Sequence, residues 1–102
     1  MTDWSVLGVR LKAATGQDPA LDAAIAEAFA APSAAYTGSV AACRQLVATV
    51  LPDWRLHVGF DASGVLPYAA VFKDDIRVAA EAPTVPLAVL RCLAELATMP
   101  HG

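Results

Sequence analysis

Cysteine is scarce in this chain of 102 residues; there are two, Cys43 and Cys92. They lie far apart in sequence, each inside a helical pattern. That reads as two small buried hydrophobes in a reducing compartment, with a redox pair as the sharper alternative. Together with His57 and His101 they do not make the four closely spaced ligands of a zinc site. Basic residues are also few. The seven, Arg10, Lys12, Arg44, Arg55, Lys73, Arg77 and Arg91, are scattered, and the formal net charge is −3. Nucleic-acid binding draws most of its affinity from clustered cations meeting phosphates, so this balance argues against nucleic acid as a partner. No apolar run approaches the roughly 18 to 20 residues of a membrane span, and Arg91 and Glu95 interrupt the most apolar stretch. The opening "MTDWSVLGVRLK" lacks a basic start followed by an apolar block, so a secretory signal is not expected and a cytoplasmic location is. Calcium-loop spacing is missing. "GVLPYAA" has a glycine but neither the spacing nor the following helix of a phosphate loop. No metal, cofactor or small-molecule ligand is expected.

What the chain has in quantity is apolar residues, 57% of the total, much of it alanine. Few charges beside much apolar surface point to a protein partner, and first to a homo-oligomer. The length fits one domain, 1–102. It divides into an N-terminal helical pair over about 3–30, an α-β-β-β-α core over about 37–98 and a loose tail, 99–102. Thr2 or Asp3 caps the first helix, Trp4, Leu7 and Leu11 mark one face, and Gly16 is the expected stop. Asp18-Pro19 opens a second helix with stripe Leu21, Ala24, Ile25, Ala28 and Phe29. Pro32 blocks its continuation. Thr37 or Ser39 caps a third, whose apolar positions are Val40, Cys43, Val47, Val50 and Leu51.

The period then changes to two. In "WRLHVGF", Trp54, Leu56, Val58 and Phe60 point one way and Arg55, His57 and Gly59 the other. "DASG" is a turn, with Gly64 at its awkward dihedral. Pro67, which has no N–H for a ladder, should face no partner on that side. In "VLPYAAVF", Leu66, Tyr68, Ala70 and Phe72 alternate, and Ile76, Val78 and Ala80 share a face. A two-residue Asp74-Asp75 turn sets Phe72 opposite Arg77. A three-residue loop through Lys73 sets Phe72 opposite Ile76 and Ala70 opposite Val78. One residue of slip flips a strand, so the three-residue loop is expected. The apolar face then rests on the third and last helices. The other face carries Arg55, His57, Ala69, Val71, Lys73, Arg77, Ala79 and Glu81. It is either partly covered by the first two helices or open to another chain.

A last helix begins near Thr84 and Val85. Leu87, Val89, Leu90, Cys92, Leu93 and Leu96 cover most of its circumference, so it is packed on more than one side. Arg91 and Glu95, four apart, form a surface pair. The resulting fold class is α+β: a three-stranded antiparallel sheet flanked by helices, order α-α-α-β-β-β-α, an alpha-beta-alpha sandwich.

Candidate chemistry is thin. His57 could act as a base only with Glu81, Asp61 or Ser63 oriented beside it; a solvent-facing or interface role is the plainer reading. Asp74-Asp75 is a solubilising turn, and Asp22 with Glu27 makes no metal site. The candidate interaction face is Arg55, His57, Val71, Lys73, Arg77 and Glu81. Trp4 is either an N-terminal docking residue or the group that packs the first helix down.

The strings "LKAATGQDPALDAAIAEAF", "YTGSVAACRQLV", "LPDW" and "EAPTVPLAVLRCLAEL" resemble the phage ABA sandwich domain family of small phage and prophage proteins, over about Leu7 to Ala97. The resemblance implies helices layered about a sheet and a phage-related accessory protein. It brings no activity and no site residues. Pro86 and Arg91 depart from an otherwise Ala/Leu-rich closing helix and leave its start open. The helix, three strands, helix order is also that of double-stranded-RNA-binding domains, which read phosphates and shape. Those modules carry lysines where this chain has Glu81-Ala82-Pro83-Thr84-Val85-Pro86, so the junction lacks the parts of an anion site. Protein association is therefore the leading expectation, a nucleic-acid-binding module of altered shape the alternative, and an enzyme is not expected.

Overall fold

A computed structural model describes residues 3–60 and 62–99. Thr2, Asp61, His101 and the tail beyond Met99, for which the sequence suggested a cap, an acid near His57 and a loose end, lie outside them. The elements in chain order are α1 (Trp4–Ala13), α2 (Pro19–Ala28), a 3-10 turn (Tyr36–Gly38), α3 (Val40–Val50), β1 (Arg55–Phe60), β2 (Pro67–Lys73), β3 (Ile76–Glu81) and α4 (Val85–Thr98). The fold is α+β, with the expected order of helices and strands.

Each helix starts where an oxygen side chain can take an unpaired amide. The Asp3 carboxylate accepts from the N–H groups of Ser5 and Val6, Asp18 from Leu21, Ser39 from Ala42 and Thr84 from Leu87. Ser39 thus caps α3, and Thr37 is free for another task. Pro86 falls in the first turn of α4, where a missing N–H would have had no helical partner anyway. The helix α1 ends earlier than the glycine suggested: Ala14 is already extended, and Gly16 does not take a positive φ. Trp4 packs α1 onto the C-cap of α2, with its ring centroid 5.0 Å from that of Phe29.

The helix α4 is the centre of the molecule. Eight of its residues, Pro86 to Leu90 and Cys92 to Ala94, are buried. One side packs on the strands, chiefly β2 and β3; the other meets α1, α3 and the 3-10 turn. This corrects the expectation that α3 supports the sheet. It packs on α4 instead, because α4 is apolar around nearly its whole circumference and needs cover on both sides. Pro67 is the first residue of β2, a position a strand grants to proline.

The sheet order is β1-β2-β3, both pairs antiparallel. The β2–β3 turn is the two-residue Asp74-Asp75 turn and not the three-residue loop. Lys73 pairs with Ile76, Phe72 with Arg77, Val71 with Val78 and Ala69 with Ala80. The slip reverses the faces of β2. Its slim residues Ala69 and Val71 lie against α4, while the rings of Tyr68 and Phe72 go to the other side. Space under α4 decides this, because nearly every residue of "PYAAVFK" is apolar and polarity alone cannot.

Candidate interaction surface on the sheet

The side of the sheet away from α4 is built of three rungs, read across β1, β2 and β3: Arg55–Phe72–Arg77, His57–Ala70–Ala79 and Gly59–Tyr68–Glu81. Arg55, His57, Arg77, Ala79 and Glu81 are exposed; α1 and α3 pack on α4, and α2 on α1 and the 3-10 turn, rather than here. Of the sequence-predicted face, Arg55, His57, Arg77 and Glu81 are therefore brought together. Val71 is not: it is wholly buried in the core. Lys73 shares the side of Val71 and projects at the turn. Both corrections follow from the two-residue turn.

The sequence reading placed Tyr68 and Phe72 in the core, yet these rings are part of the surface. Tyr68 stacks on His57, ring centroids 5.7 Å apart and planes 18° from parallel. Gly59 makes this possible: a Cβ there would sit 3.3 Å from the tyrosine ring. Glycine opposite tyrosine in adjacent strands was the available signal, but only in the correct register. Ala70, in the middle rung, is small enough that its taller neighbours shield it.

Among the described residues no hydrogen bond joins His57 to an acid or a hydroxyl, and the Ser63 hydroxyl oxygen accepts from the Val65 N–H. Among the described residues no group of His, Cys, Asp or Glu is placed to hold a metal.

Beside the β3 edge runs an open groove of about 620 Å³, bounded by α1 and α4. Arg91 lines it but is committed to the backbone. Its Nε donates to the Leu11 carbonyl (3.0 Å), Nη2 to that of Lys12 (2.9 Å) and Nη1 to that of Glu81 (2.7 Å). The expected Arg91–Glu95 pair is not made. A second, apolar cleft of about 260 Å³ lies between Phe29, Val50, Leu51, Trp54, Leu93 and Leu96.

The remaining buried chemistry is structural. Thr37 is buried, accepts from the Asp18 N–H (2.8 Å) and donates to Asp22 Oδ1 (2.6 Å), which also takes the Thr37 N–H (2.7 Å). This ties α2 to the 3-10 turn with each polar atom satisfied. Burial pushes the Cys43 thiol up to about 12, helped by the Asp22 charge, and its Sγ donates to the Tyr36 carbonyl. Burial, then the Glu95 charge, pushes Cys92 to about 12 as well, and its Sγ donates to the Ala69 carbonyl. A nucleophilic or redox cysteine needs a lowered pKa and access; these two have neither. No helix among the described residues is long and apolar enough to cross a membrane. No known protein family, curated protein or solved structure matches the chain.

Proposed function

We propose that this is a non-enzymatic accessory protein of phage or prophage type that acts by protein association, with its own copies as first partner, through the sheet side that α4 leaves uncovered. The observation that supports this most is the composition of that side. Two aromatic rings and a histidine stand among two arginines and a glutamate, on one side of a three-stranded sheet. Aromatic and arginine side chains are the enriched anchors of protein interfaces. Light scattering at micromolar concentration tests the reading: a mass above 10.6 kDa is expected. A monomer that also retains no protein from its host would count decisively against it.

A second reading has one observation in its favour. Rings flanked by arginines on an open sheet can stack bases. The net charge of −3 opposes it. Retention on single-stranded RNA or DNA at low salt, lost steeply as salt rises, would support it; no retention would remove it.

A further inference from the structure

We propose that the partner is a second copy and that two β3 strands pair edge to edge, antiparallel, about a two-fold axis at Ala79, joining two three-stranded sheets into one of six. The proposal rests on the association reading above and places the contact at the β3 edge of that side, leaving its rings on β1 and β2 uncovered.

β3 is an edge strand. In antiparallel pairs, residues alternate between exchanging backbone hydrogen bonds with their partner and facing away. A two-residue turn makes its closing pair, Lys73–Ile76, a bonded one. Val78 and Ala80 then spend their backbone groups on β2. The Ala82 N–H, which donates to the Pro67 carbonyl at 3.1 Å, continues the alternation. Arg77, Ala79 and Glu81 therefore aim their N–H and C=O groups outward, away from β2. The Glu81 carbonyl accepts from Arg91 and keeps a second lone pair.

The side chains choose the register. A two-fold axis at Ala79 sets Ala79 against its own copy and Arg77 against the second copy's Glu81, twice over. All four charged groups lie on the outer side of the joined sheet. Moving the axis to Arg77 or to Glu81 sets like charges opposite one another, which disfavours those pairings. The edge is thus guarded against strands that lack this charge order and open to one that has it. Ala79 adds no bulk at the axis, and the groove between this edge and α1 leaves room on the inner side. β1 is the other edge, and within Arg55–Phe60 its one charged residue, Arg55, has no anion of the same strand to face.

Cysteine cross-linking tests the contact directly. Residues in a bonded antiparallel pair have Cα atoms about 5.5 Å apart, inside the range a disulfide spans. Under mild oxidation Ala79→Cys should give a covalent dimer on a non-reducing gel. The unsubstituted protein, whose two thiols are buried, and Ala41→Cys, on the exposed side of α3, should not. Arg77→Glu and Glu81→Arg should each weaken the dimer at least ten-fold by light scattering, and the double exchange should restore it. Circular dichroism checks that each variant is folded. A dimer that ignores both charge reversals and leaves Ala79→Cys uncrosslinked would overturn β3 pairing while leaving association standing. A protein that stays at 10.6 kDa but retains another protein would overturn self-pairing alone. A monomer that retains nothing would remove both.

Discussion

Ala30 carries a strain that glycine would relieve. Its φ is 51°, in the left-handed region. The reason is the way α2 ends. The Ala31 N–H reaches back to the Ala26 carbonyl (2.8 Å) and the Ala30 N–H to that of Glu27 (3.2 Å). These are the two bonds of a Schellman ending, which needs a left-handed residue just past the cap. Holding alanine there costs about 1–2 kcal/mol, and glycine gives back roughly 0.5–1 kcal/mol in chain entropy. Ala30→Gly should therefore raise stability by about 0.5–1 kcal/mol, read as a higher urea midpoint at unchanged slope. A lower midpoint would mean that α2 does not end this way. Asp74, at φ 55°, has the same geometry, but its short polar side chain tolerates it better. Pro32 made the stop of α2 legible in the sequence. The left-handed residue was hidden, because alanine gives no sign of it.

Arg91 shows how one side chain can join three elements. The last carbonyls of a helix have no partner within it. Two of those of α1, on Leu11 and Lys12, point at the guanidinium of Arg91, which also holds the end of β3 through Glu81. Hydrogen bonds from a charged donor are worth about 1.5–3 kcal/mol when the acceptors would otherwise go unpaired. Arg91→Met keeps much of the aliphatic stem and removes all three bonds. It should cost about 2–3 kcal/mol in urea unfolding, and Arg91→Lys should recover only part, because an ammonium lacks the fork. An unchanged midpoint in the methionine variant would show that water serves these carbonyls equally well. The sequence displayed Arg91 and Glu95 at helical spacing, and nothing in it displayed a bond to residues some eighty positions away. The strands divide in the same way. β1 alternates apolar and polar residues, so Arg55 and His57 could be placed on the outer side. β2 is apolar at nearly each position, so its register waited on the fit of Ala69 and Val71 beneath α4. Tyr68 and Phe72 were missed for that reason alone.

At the scale of the whole molecule, α4 makes the sheet and the helical layer depend on each other. The Cα radius of gyration is 12.6 Å, close to the ~13 Å of a compact chain of about this length. The two thiols report on opposite sides of α4. Cys43 lies on the helical side, its Sγ within 3.7 Å of the Pro86 carbonyl, and Cys92 faces the carbonyls of Ala69 and Val78 in the sheet. Both are raised from an ordinary 9.0 to about 12. Between those values the unfolded chain has released its thiol protons and the folded chain has kept them, so stability falls as pH rises from 9 towards 12 and is intact below. Tyr36, raised mainly by burial, pulls the same way. The part due to the thiols is the difference in alkaline slope between this protein and a Cys43→Ala, Cys92→Ala variant, which should unfold less steeply with pH. If α4 couples the two layers fully, the thiols become reachable only when the entire molecule opens. Iodoacetamide at pH 8 should then modify Cys43 and Cys92 at the same slow rate, followed by mass spectrometry, and denaturant should accelerate both together. Faster modification of Cys43 would mean that the helices open while the sheet stays closed. The chain would then unfold as two cooperative units, with α4 remaining on the strands.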